Sequence, residues 1–377
     1  MKIPFLVNKK TWTAVSPSLL PFADVVSDDL PLSRLLRLSL FQVTVGMAAT
    51  LLIGTLNRVL ILEMGVSAWL VALMVALPLV FAPFRALVGF KSDQHRSVLG
   101  WRRVPYIWIG TLLQFGGLSI MPFALILLSG DTQWPTWFSH IASALAFLLV
   151  GAGMQTTQTA GLALATDIAT EESRPRVVAL MYVMLLVGMV ISGIVFSFFL
   201  NPFTQIQLVQ VVQSAAAVTL ILNIIALWKQ EARQPHKTNP AIQRPEFRES
   251  WNQFASNGKI KRYLVMLGLG TAAFSMQDII LEPYGGEILH LSVSQTSLLT
   301  ALMSGGALFA FALAARWLSR GIDPYRIAAL ALLVGLFAFS AVIFAEPLES
   351  ATLFRVGATL IGFGAGLFSI STLIIAM

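Results

Sequence analysis

Apolar residues in this chain gather into ten runs, at residues 38–62, 67–90, 104–129, 138–166, 176–200, 205–228, 262–282, 294–316, 325–345 and 351–376. A helix needs about 20 residues to cross a ~30 Å hydrocarbon core, and these runs supply them. Only helices and closed barrels satisfy their own backbone polar groups in lipid. The pattern therefore predicts an all-α polytopic membrane protein.

The polar connections alternate in charge. Residues 1–37 hold five Lys or Arg, 85–103 five, 167–176 two, 229–262 eight and 316–326 three. The connections near 63–67, 130–138, 201–205, 283–293 and 346–350 hold none. Of 25 basic residues, 23 thus fall on one side, and the remaining two, Arg58 and Arg355, fall elsewhere, inside helices. By the positive-inside rule, the N-terminus and the even-numbered connections are expected in the cytoplasm.

One connection is long. Residues 229–261, with Pro235, Pro240 and Pro245, form a polar cytoplasmic linker. It separates a six-helix bundle at 38–228 from a second bundle at 262–377, behind a cytoplasmic N-terminal segment at 1–37. Six helices, a basic linker and further helices is the layout of the major facilitator fold, in which two six-helix halves are related by an axis along the membrane normal. An internal repeat agrees. Gly151-Ala-Gly-Met-Gln-Thr-Thr-Gln-Thr in the fourth run parallels Gly364-Ala-Gly-Leu-Phe-Ser-Ile-Ser-Thr in the tenth. Leu56-Asn57-Arg58-Val-Leu in the first parallels Met276-Gln277-Asp278-Ile-Ile in the seventh. A second half of this type needs two more helices after Met377, so the sequence predicts six plus at least four spans with the second half truncated.

Composition narrows the classes. Charged residues are 11% and hydrophobic ones 56%, against roughly 25% charged in a soluble domain. The net charge of +7 follows from the basic loops, so no nucleic-acid partner is expected. There is no cysteine, hence no disulfide or thiolate chemistry. No cleavable signal precedes the first run, which is expected to act as an uncleaved anchor. His95, His140, His236 and His290 are scattered. No metal-ligand cluster, Walker sequence or dinucleotide fingerprint occurs, and no enzyme activity is expected.

Candidate chemistry lies in three places. Between the second and third runs stand Gly89, Asp93, Gly100, Arg102 and Arg103. This is a facilitator-like spacing, in which an aspartate caps or bridges a helix end and arginines hold the cytoplasmic interface. An ordinary basic loop at an anionic membrane surface is the alternative. Arg58 and Asp278 are charges inside spans, which are costly unless paired or facing a cavity. Their equivalent positions in the two halves make them a candidate inter-half ion pair, although Arg58 also has Glu63 within reach. The polar run Gln155-Thr-Thr-Gln158-Thr159 must turn one face to protein, water or a ligand, helix–helix hydrogen bonding being the simplest use.

Longer stretches carry a family resemblance. Leu30-Pro-Leu-Ser-Arg-Leu-Leu-Arg-Leu-Ser-Leu-Phe-Gln-Val and Gly54-Thr-Leu-Asn-Arg-Val-Leu-Ile-Leu-Glu63 resemble the PucC/LhaA family. So does Phe81-Ala-Pro-Phe-Arg85-Ala-Leu-Val-Gly-Phe-Lys-Ser-Asp93 through Trp101-Arg-Arg-Val-Pro-Tyr-Ile-Trp108. The resemblance implies a facilitator-type protein of the intracytoplasmic photosynthetic membrane that assembles light-harvesting antenna complexes, the core antenna favoured over the peripheral one. It also implies antenna polypeptides, and reaction-centre or pigment-synthesis proteins, as partners, with bacteriochlorophyll as bound cargo. A chlorophyll magnesium takes one axial ligand, and Asn57, Gln155, Gln158 and Gln277 are the candidate pigment or client contacts. A secondary transporter of a small or amphipathic solute is the alternative on the same fold.

Overall fold

The computed structural model describes residues 31–95, 100–128, 135–232, 247–249, 251, 256 and 258–376. Most of the expected N-terminal segment and of the 229–261 linker lies outside the described residues. Helix α1 runs from Leu32 to Glu63. After it come α2 (Ala68–Val80), α3 (Phe84–Asp93), α4 (Val104–Leu128), α5 (Thr136–Ile168), α6 (Arg174–Phe199) and α7 (Gln205–Leu227). The second half holds α8 (Gly258–Ser275), α9 (Leu281–Glu287), α10 (Val293–Ser319), α11 (Pro324–Ala345) and α12 (Ala351–Ala376). Eight of these, namely α1, α4 to α7 and α10 to α12, are long and apolar enough to cross a membrane.

The second and seventh runs are split, where the sequence pattern predicted unbroken helices. Pro83 lacks an N–H, so the helix cannot pass through it unaltered; the chain turns at 81–83 and restarts as α3 with Phe84 N–H bonded to Phe81 O. The seventh run unwinds at 276–280 between α8 and α9. The outer part of α1 is also irregular. Its turns over Thr50–Leu56 and Val59–Glu63 are wound wide, as in Met64 N–H to Val59 O at 3.0 Å. Such π-type turns recur at functional sites.

Small residues set the packing. A Cβ on Gly151 would strike Pro78 of α2, and one on Gly153 would strike the α4 backbone at Gln114. In the second half a Cβ on Gly362 would strike Met303 of α10, and one on Gly364 would meet Ala331 of α11. Backbones approach this closely only at glycine. Gly366, like Gly362, lies against α10, at Ala307. The sequence match therefore aligned Gly151, which faces α2, with Gly364, which faces α11.

The halves meet along α1, α6, α9 and α10. Gly193 of α6 lies against Ala301 and Ser297 of α10. Polar contacts cross the seam: Thr55 Oγ1 with Ser297 Oγ at 3.2 Å, Ser197 Oγ with Ser294 Oγ at 3.0 Å, Asn57 Nδ2 to Ile279 O at 2.7 Å and Arg58 Nη2 to Leu291 O at 3.1 Å. These lie toward the end of the bundle opposite the basic loops.

Candidate functional site: three polar clusters in the bundle

The first cluster closes the basic end of the first half. Arg103, only 5% exposed, donates to Asp167 at 3.0 Å and to Ser92 Oγ at 2.6 Å, pairs with Asp93, and reaches Gly89 O at 3.5 Å. Arg102 joins Asp167 at 3.4 Å from the rim. Glu231, beyond α7, accepts the backbone N–H groups of Arg102, Arg103 and Val104. It thereby caps the N-terminus of α4, where a negative charge is favoured. Gly89, Asp93, Arg102 and Arg103 are thus brought together. The sequence reading missed Asp167 and Glu231, whose only signal was an acid at the end of an apolar run. In R103A two carboxylates lose their shared cation. Because both are partly solvated, the expected cost is about 2–3 kcal/mol, read as earlier thermal unfolding in detergent. Unchanged unfolding would show that the cluster is an ordinary surface loop.

The second cluster lies deeper in the same half, on one face of α5. Gln155, Gln158 and Thr159 stand at helical i, i+3 and i+4 positions. Gln158 Nε2 reaches Gln42 Oε1 of α1 at 3.4 Å. Thr159 Oγ1 donates to Gln155 O at 2.7 Å and accepts from Arg85 Nε at 3.1 Å. Gln155 Oε1 and Gln42 Nε2 are buried without a partner. The sequence reading counted Arg85 among the basic loop residues. The structure corrects this, since Arg85 belongs to α3 and points into the bundle. Its charge was hidden by the expectation that the second run would end as a loop there.

The third cluster sits on the seam between the halves. Asn57 is fully buried and, as noted, holds the carbonyl that the break in the seventh run leaves free. The expected Arg58–Asp278 pair is absent. Arg58 pairs instead with Glu63 at 2.6 Å, and Gln277 Nε2 donates to Asp278 Oδ1 at 2.6 Å. The unwinding at 276–280 is the reason: it turns Asp278 aside and delivers Glu282, at the start of α9, to the seam. Glu282 is 4% exposed and accepts a short hydrogen bond from Thr300 of α10. Gly54 of α1 makes room for it, since a Cβ there would lie 2.7 Å from Glu282 Oε1 and from Thr300 Oγ1. Glu282 was overlooked at the last position of the seventh run, although an acid inside a span is itself a signal. Glu282 Oε2, Arg58 Nε, Asn57 Oδ1 and Gln277 Oε1 are buried without partners. Among the described residues no group of His, Cys, Asp and Glu forms a metal site. All three clusters present hydrogen-bonding and charged groups to each other and to internal space.

On the lipid-facing side, α1, α6 and α7 border a groove of about 450 Å³. Met47, Val195, Phe196, Phe199 and Val211 form its apolar wall, with Gln207, Gln210 and Ser214 along one side. Gln210 is exposed there, and Gln213 is exposed on the same helix outside the groove lining.

The comparisons with known proteins agree with this architecture. Among solved structures, a mutant of the nucleoside transporter NupG aligns with a TM-score of 0.64 over 90% of this chain and 81% of its own, at 14% identity. At that identity the likeness establishes the fold, which is of the facilitator type. The chain is 54% identical over 369 residues to Protein PucC of Rhodovulum sulfidophilum, covering 96% of this chain and 81% of that protein. It is 53% identical over 374 residues to an uncharacterized protein in the puhA-bchM intergenic region of Rhodobacter capsulatus, covering 99% and 78%. The bacteriochlorophyll synthase 44.5 kDa chain of Rhodobacter capsulatus is 24% identical over 276 residues, covering 73% and 62%. Residues 55–377 match the family profile described as PUCC protein. With that match over most of its length and relatives above half identity over nearly all of it, this multi-pass membrane protein belongs to the PUCC family.

Proposed function

We propose that this protein is a membrane-embedded assembly factor for light-harvesting antenna complexes. It binds their single-span polypeptides and handles bacteriochlorophyll as cargo, acting by binding and not by catalysis. Family membership and the names of its relatives supply the photosynthetic context. The observation that carries the binding role is the groove between α6 and α7. Gln210 and Gln213 make no hydrogen bond among the described residues, yet they stand on a span with mean hydropathy 2.0. Amides facing hydrocarbon cost free energy until a partner satisfies them. A client helix with polar groups on one face would do so, while its apolar side chains fill the groove. Core antenna polypeptides are the first clients to test, with reaction-centre and pigment-synthesis proteins as neighbours. The test is a deletion strain followed by pulse-labelling, with pull-down of antenna polypeptides on the restored protein. Assembly at the normal rate without co-purification would end this reading.

The proposed site of action is the bacterial inner membrane, in its intracytoplasmic photosynthetic regions, with the N-terminus in the cytoplasm. With Arg85 inside the bundle, 22 of the 25 basic residues still fall on one side, and this bias motivates the orientation. Cysteines at Glu171 and Asn201, at opposite ends of α6, should react from the cytoplasm and the periplasm respectively. The reverse labelling would invert the topology.

The second reading is a secondary transporter. The four orphaned polar atoms at the inter-half seam favour it, because unsatisfied buried groups call for water or a solute. Solute uptake by proteoliposomes, lost in N57A, would support it over the assembly role.

A further inference from the structure

Arg85 stands apart from the other charges of the bundle. It lies eight residues before Asp93 in α3, and Thr159 lies eight residues before Asp167 in α5. Arg103 ties Asp93 and Asp167 together at the basic end. The Arg85–Thr159 contact therefore sits about 12 Å deeper, at 1.5 Å per residue. At that depth an unpaired cation is costly and faces a cavity or a partner. Yet no carboxylate among the described residues lies within ion-pair distance of Arg85. A guanidinium has five N–H donors, and among the described residues its one hydrogen bond is to Thr159. The terminal nitrogens have no acceptor among the described residues and are not sealed off, since they are absent from the fully buried orphans.

A guanidinium fork with free terminal nitrogens is complementary to an acceptor with several oxygens. A cavity lies beside this cation. Tyr182 of α6, which lies near Arg85, is a wall of this cavity of about 340 Å³. Leu267, Phe311, Phe368 and Leu373 give that cavity an apolar body.

We propose that the space in front of Arg85 is a binding site for the anionic group, a carboxylate or a phosphate, of a molecule with an apolar body. The guanidinium fork of Arg85 holds the anion. Thr159 orients the fork, and the cavity beside Tyr182 receives the apolar part. The site stands whether or not antenna polypeptides are the clients of the protein.

The test uses the full chain in nanodiscs of zwitterionic lipid, with cis-parinaric acid and its methyl ester as fluorescent probes. The two probes share an apolar body and differ in charge. The ionised acid is expected to bind about tenfold or more tightly than the ester. R85Q should bring the acid down to the affinity of the ester, R85K should keep part of the preference, and T159V should weaken the acid several-fold. K229Q, at the basic surface, should change neither probe. Dodecyl phosphate should displace the acid. Displacement by phosphatidylglycerol added to the nanodisc would name a bilayer lipid as a source, and displacement by dodecyl phosphate alone would name a soluble amphiphile; both support the site. Equal affinity for acid and ester, or a preference that survives in both R85Q and T159V, overturns it. If R85Q does not fold, T159V and R85K carry the decision.

Discussion

In R58A the protein is expected to lose about 3 kcal/mol of stability, the low end of the cost of breaking a buried ion pair, because the Glu63 carboxylate is partly solvated. Arg58 is 5% exposed, and its guanidinium serves the Glu63 carboxylate and the Leu291 carbonyl from the other half together. Glu282 lies on the same seam, so the cation also offsets a second buried acid. Its loss would leave two carboxylates without compensation and remove a bond that joins the halves. D278N should cost much less, about 1 kcal/mol or under, because Asp278 has a single neutral hydrogen-bond partner. Thermal unfolding in detergent, with R58A, E63A and the double variant, gives the Arg58–Glu63 coupling directly. Should R58A prove as stable as the parent, or should D278N match it, the pairing described here would be wrong and the pairing of Arg58 with Asp278 would regain support.

S214W is expected to cut recovery of antenna polypeptides by about tenfold, since hot-spot loss at a packed interface is of that order or larger. Ser214 is exposed and lines the groove between α6 and α7. An indole there would fill the groove that a client helix needs without displacing the buried Ala215 beneath it. The companion variant Q210L keeps the shape and removes the amide. If hydrogen bonding dominates, Q210L falls with S214W; if shape dominates, Q210L retains clients. Unfolding temperature serves as the control for both. Recovery of antenna polypeptides by a folded S214W at the parental level would move the client elsewhere on the molecule.

Arg85 and Glu282 show where the sequence pattern loses its power. Hydropathy averages over a window of about one span, so it registers the length of a run and not its continuity. The second and seventh runs were legible as runs, while the turns at 81–83 and 276–280 were not. Pro83 and Pro283 were visible warnings: Pro283 has no N–H to give Ile279 O, the carbonyl that Asn57 takes up, yet a hydropathy average does not register either proline. Each unseen break displaced a charge: Arg85 was assigned to a loop, and Asp278 was given the place that Glu282 holds. Gly89, Asp93, Arg102 and Arg103, by contrast, were found from spacing, because a cluster at one helix end and its adjoining loop is local in sequence.

By itself the sequence determined the all-α membrane class, the ten apolar runs, the two-half organisation and the family resemblance. These follow from solvation and chain connectivity: lipid demands apolar helices of a fixed length, and basic residues mark one side of them. Only the tertiary structure decided which polar groups meet. It set Arg58 on Glu63, brought Glu282 against Gly54 and Thr300, left Arg85 without an acid among the described residues, and set which helix each glycine of the repeat faces. The physical reason is common to all four. A one-residue step turns a helical side chain by about 100°, so partners on different helices depend on the kinks, wide turns and close glycine contacts that set rotation and depth.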